Sequence, residues 1–116
     1  MSIKERLIGA KEMNGKDNAG YGGRRKMKSQ AIYRKAFYLW GKPSQILMGV
    51  EEMSELMKEL MKAMRGKENK EAIAEEIADV QIMVEQLELI FDCKDDVALF
   101  KIKKLERLEG MVNVKE

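Results

Sequence analysis

The chain has 116 residues, of which 45% are hydrophobic and 36% charged, with a net charge of +2. That size holds one domain with a thin core, and the balance suits a helix-rich globular chain rather than a disordered or fibrous one. The absence of histidine and the single cysteine exclude Ser-His and Cys-His nucleophiles, imidazole ligation, a zinc cluster and an intrachain disulfide.

The first residues set Leu7-Ile8 beside Lys4, Glu5 and Arg6, which is no signal-peptide core. No apolar run approaches the ~20 residues that span a bilayer. The expectation is a cytoplasmic protein without a membrane contact. Charge is unevenly placed: residues 1–43 are basic and residues 44–92 acidic. An acidic middle repels nucleic acid and attracts cations.

Residues 14–28 are glycine-rich and basic without a hydrophobic period, so residues 1–28 read as a flexible basic arm ahead of a domain over 29–116. The stretch Gly20-Tyr21-Gly22-Gly23-Arg24-Arg25-Lys26 lacks the P-loop spacing and no strand precedes it. A helix is predicted over about 29–40, burying Ile32, Ala36, Phe37 and Trp40. Gly41-Lys42-Pro43-Ser44 breaks it, with proline suited to a new helix start.

Two long helices follow, over about 44–64 and 70–92. The first carries Ile46, Val50, Met53, Met57, Leu60 and Met64 at steps of four and three. The second repeats the pattern in Ile73, Ile77, Val80, Val84, Leu87 and Phe91. Arg65-Gly66-Lys67 ends the first and Asn69 is placed to cap the second. A shorter helix over about 96–109 offers Ala98, Ile102, Leu105 and Leu108 before Gly110. The predicted fold is all-α, an antiparallel bundle built on a long helical hairpin with flanking shorter helices.

Each long helix carries a second, mixed stripe. On the first it is Gln45, Met48, Glu52, Glu55 and Glu59; on the second, Glu76, Asp79, Met83, Gln86 and Ile90. Acids sharing a stripe with methionine lose solvation unless a cation or a hydrogen-bond donor compensates. Glu52 with Glu55, and Glu76 with Asp79, are three apart and share a face. A short link forces the helices antiparallel and brings both pairs to one height from the turn. Four carboxylates meeting there, with no nitrogen or sulfur donor, select a hard dication, Mg²⁺ or Mn²⁺. Magnesium so held commonly bridges to phosphates, pointing to phosphoryl or nucleotidyl chemistry. Taken singly, each acidic pair also reads as a solvated helix face, and Lys58, Lys62 and Lys70 as partners in ordinary surface ion pairs.

The segments QILMGVEEMSEL, residues 45–56, and EEIADVQIMV, residues 75–84, resemble the MazG-like, all-α nucleoside triphosphate pyrophosphatases, whose signature is EExxE followed by ExxD. The resemblance covers residues 29–92. It implies Mg²⁺-dependent hydrolysis of a (deoxy)nucleoside triphosphate to the monophosphate and pyrophosphate, a house-cleaning of the nucleotide pool. Glu52, Glu55, Glu76 and Asp79 match the family's metal ligands, so they are the expected catalytic and metal residues. It also implies a homo-oligomer, dimer or tetramer, that completes the bundle and the site. Trp40, Gln45 and Lys104 are the expected substrate contacts, although Trp40 with Phe37 also reads as core, and Lys104 with Lys101, Lys103 and Arg107 as a solvated face. The competing expectation is a non-catalytic helical module that binds a partner helix, or nucleic acid through the basic arm.

Overall fold

The computed structural model describes residues 28–114. The expected basic arm lies outside the described residues except for Lys28. Four helices run in order, with no strand among the described residues: α1 (Ser29–Trp40), α2 (Lys42–Met64), α3 (Lys70–Ile90) and α4 (Lys94–Val114). None of them is long and apolar enough to cross a membrane. The chain divides into two compact units, one ending at Gln86 and the other starting at Leu87.

Local chemistry sets the breaks. Gly41 stands at φ +85, a conformation that side chains with a Cβ resist, and serves both neighbours. Its N–H donates to the Phe37 carbonyl at 2.8 Å, and its own carbonyl accepts from Gln45 N–H at 3.2 Å. Pro43 then sits in the first turn of α2, where no intrahelical donor is lost. Consequently α2 begins at Lys42, two residues before the predicted start.

The end of α2 is a full Schellman arrangement. Lys67 N–H reaches the Lys62 carbonyl, Gly66 N–H reaches Ala63, and Gly66 supplies the left-handed turn at φ +92. The same arrangement ends α3, where Cys93 N–H reaches Glu88 and Asp92 N–H reaches Leu89. There Asp92 takes the left-handed position at φ +50, so the helix stops at Ile90 rather than at residue 92. By contrast, Gly110 does not stop α4, which continues to Val114. A glycine ends a helix only where a reversal satisfies the last carbonyls; inside a turn it merely costs ~1 kcal/mol.

Packing in the first unit separates the two stripes of each long helix. The mixed stripe is the buried one: Gln45, Met48 and Glu52 on α2 and Glu76, Asp79, Met83 and Gln86 on α3. Met48 and Met83 form the core with Ile82 packed against them, and Met83 is completely covered. Much of the apolar stripes is exposed, with Val50 61% and Met57 65% exposed and Ile77 and Val84 also exposed, whereas Ile46, Ile73, Val80 and Leu87 are half-buried. On α1, Tyr33 and Ala36 are buried, whereas the predicted Ile32 and Trp40 are exposed and Phe37 is half-buried. Tyr33 Oη donates to Glu85 Oε2 at 2.9 Å, which ties α1 to α3.

In the second unit, α4 begins with Cys93, whose carbonyl accepts from Val97 N–H at 2.9 Å. Asp95 and Asp96 lie in its first turn, where negative charge opposes the positive end of the helix dipole. No residue of α4 is buried, including Ala98, Ile102, Leu105 and Leu108, its apolar stripe.

Candidate metal site

Glu52 follows Met48 by one turn of α2, and Asp79 precedes Met83 by one turn of α3, so the buried methionine layer adjoins a layer of acids. Glu76 sits one turn before Asp79 on the same face. One carboxylate oxygen from each of Glu52, Glu76 and Asp79 lies within 4.8 Å of the others, and all three residues are buried. Glu52 is 0% exposed.

Carboxylates in such a place are costly. Two unit charges 4.8 Å apart repel by about 3 kcal/mol at an effective dielectric of ~20. A bound dication reverses the sign of that balance, and the donor set suits one. Oxygen donors alone select Mg²⁺, Mn²⁺ or Ca²⁺ over softer ions. Octahedral Mg²⁺–oxygen bonds of ~2.1 Å would set adjacent ligands ~3.0 Å and opposite ones ~4.2 Å apart. The three oxygens, within 4.8 Å of one another, would have to draw closer around such an ion.

The structure gathers three of the four expected acids. Glu55 lies on the same side of α2 but is half-exposed and outside the cluster. Its step of 300° from Glu52 leaves it 60° round the helix, enough to reach the rim instead of the centre. Gln45, an expected substrate contact, is buried in the first turns of α2, two turns from Glu52. Trp40 is partly exposed at the end of α1. Lys104 is exposed on α4, in the second unit.

A second polar cluster was not foreseen as such. Asn69 is buried and its Nδ2 donates at 2.9 Å to both the backbone carbonyl and Oε1 of Glu59. Lys62 Nζ holds the other oxygen of Glu59 at 2.9 Å, the local ion pair that their spacing suggests. The Asn69 bond and then the Lys62 bond hold the Glu59 carboxyl below its ordinary value of 4.5. Asn69 stands at the predicted capping position, and its backbone carbonyl accepts from Ile73 N–H at 3.0 Å. Its side chain, however, reaches across to α2 instead of capping α3. An asparagine before a helix signals a cap in sequence; only the neighbouring helix reveals the better acceptor.

Comparison with family models, with curated proteins and with solved structures finds no match to this chain.

Proposed function

We propose that this chain is a Mg²⁺-dependent pyrophosphohydrolase of (deoxy)nucleoside triphosphates, of the MazG-like all-α kind. The observation that carries the reading is the buried convergence of Glu52, Glu76 and Asp79 from two helices. Those three residues hold the cation, whose chemistry is to neutralise phosphate charge and acidify a coordinated water.

Glu55, at the rim one turn from Glu52, orients a water against the α-phosphorus and accepts its proton. The new bond joins the water oxygen to that phosphorus. The bond to the oxygen bridging to the β-phosphate breaks, and pyrophosphate leaves with the monophosphate as the second product. Buried surroundings of Met48 and Met83 hold the carboxylates in a low dielectric, where they act more strongly on charge.

The outward apolar stripes support the rest of the reading. α2 and α3 form an antiparallel hairpin, and a second copy covers Val50, Met53, Met57, Ile77 and Val84 to complete the bundle. Replacing Met57 with Asp converts that oligomer to monomer in analytical ultracentrifugation, or the assignment of this face is wrong.

The decisive assay is pyrophosphate release from a panel of nucleoside and deoxynucleoside triphosphates with Mg²⁺. Glu52→Gln and Asp79→Asn are expected to lose at least ~100-fold in turnover while keeping their helical circular dichroism. Near-normal turnover in either variant rejects the assignment. The exposed apolar face also fits a non-catalytic module that binds a partner helix. In that case Mg²⁺ neither stabilises the protein nor supports hydrolysis.

A further inference from the structure

The contact between Asn69, the residue just before α3, and Glu59 of α2 joins the same two helices as the acidic cluster, at a matching distance from it. Along α2, Glu59 follows Glu52 by seven residues; along α3, Asn69 precedes Glu76 by seven. Seven helical residues rise ~10.5 Å and fall ~20° short of two full turns. The two contacts therefore lie on nearly the same face, and both members of the Asn69–Glu59 contact are displaced by the same ~10.5 Å from their counterparts Glu76 and Glu52.

Such a matched pair of contacts defines the sliding position of one helix on its neighbour. Apolar contacts do so weakly, because methionine is unbranched and adapts to many positions. The core between these helices rests on Met48 and Met83. A slip of one residue shifts α3 by ~1.5 Å along its axis. To restore a facing side chain it must also rotate by ~100°, which removes Glu76 and Asp79 from Glu52. Hydrogen bonds fail over a few tenths of an ångström, so they resist the slip far more steeply.

We propose that Asn69 is a positioning residue. Its two bonds to Glu59 set the register of α3 on α2 and so keep Glu76 and Asp79 level with Glu52. The inference rests on the metal-site reading for its functional consequence, though not for the register itself. Asparagine is suited to the task because one amide nitrogen supplies two donors, here to a backbone carbonyl and a carboxylate oxygen. Its Oδ1 is buried and accepts no hydrogen bond among the described residues. The hydrogen bonding of the side chain is thus directed wholly at α2. Lys62 fixes the far oxygen of Glu59, which keeps the acceptor from rotating away. Glu59 belongs to the acidic stripe of the sequence, yet its work is mechanical.

Two readouts test this, one of them free of metal. Cysteines replacing the exposed Ser54 and Gln81, in a Cys93→Ser background, carry spin labels on α2 and α3. Labelled protein is diluted into unlabelled protein, and the label distance is measured in the presence of chelator. Mn²⁺ affinity is measured by electron paramagnetic resonance at a temperature well below each variant's Tm. Asn69→Ala is expected to shift the distance by about 1.5 Å or to broaden it, and to weaken Mn²⁺ binding about tenfold or more. Glu59→Gln, which keeps both of Asn69's acceptors and loses only the Lys62 ion pair, stays closest to the wild-type values. Glu59→Ala keeps only the carbonyl acceptor and falls between, and it decides the matter by the same readings should Asn69→Ala not fold. An unchanged distance and Mn²⁺ affinity in Asn69→Ala, even with a lowered Tm, overturns the inference and leaves the metal site standing. A shifted distance in a protein whose wild type binds no Mn²⁺ sustains the register role and removes the metal reading.

Discussion

Replacing Glu52 with Gln tests the buried cluster through stability, without any assumption about substrate. The two side chains have nearly the same volume, and Glu52 is completely covered, so the packing around Met48 and Met83 is kept. What changes is one negative charge among three ligand atoms within 4.8 Å. Losing a residue that only supports a ligand costs 10–100-fold in metal affinity, so losing a ligand charge costs ~100-fold or more. At a Mg²⁺ concentration ~100 times the wild-type dissociation constant, binding stabilises the wild type by about 2.7 kcal/mol and the variant by only about 0.4 kcal/mol. For a domain of this size each kcal/mol moves Tm by about 4–8 °C, so the Mg²⁺-induced shifts of the two proteins differ by roughly 9–18 °C. The assay is thermal unfolding followed by circular dichroism at 222 nm, with each protein run in chelator and in Mg²⁺. An equal Mg²⁺-induced shift in both proteins, or none in the wild type, refutes the reasoning.

Three further outcomes follow from particular residues. Met83→Ala opens a cavity at the most covered apolar side chain and is expected to cost about 2–5 kcal/mol in urea unfolding; a cost below about 1 kcal/mol denies Met83 its place in the core. Burial first, then the bond to Glu85, raises the Tyr33 phenol to about 12. A raised value means the folded state holds the proton more tightly, so this stabilisation is complete below pH ~10. It is lost as pH climbs through about 12. Absorbance titration at 295 nm should show a late phenol component that vanishes in Tyr33→Phe. Asp92→Gly relieves a left-handed residue at the end of α3. It is expected to raise stability by about 0.5–1 kcal/mol, seen as a higher Tm, whereas a lower Tm would mean that the aspartate side chain earns its place.

Much of the local structure was legible in the sequence. The end of α1 and the start and end of α2 follow, to within two residues, from Gly41, Pro43 and Gly66, residues whose backbone preferences act without any partner. The same holds for the stripes, since spacing on a helix is fixed by its pitch. Their roles were not legible. Periodicity marked Val50, Met57, Ile77 and Val84 as apolar stripes but did not decide that they stay exposed within the chain, because a helix with two stripes offers two faces to bury and composition ranks them only by hydrophobicity.

The chain's local chemistry alone settled that it is helical, where most helices break, and that Glu52, Glu76 and Asp79 carry the phase needed to meet. The tertiary structure decided which face turned inward, that Glu55 stayed at the rim, and that Asn69 reached across to Glu59. The physical reason is one of range. Helix formation and capping depend on neighbours a few residues away, whereas the burial of a carboxylate depends on what the opposite helix sets against it.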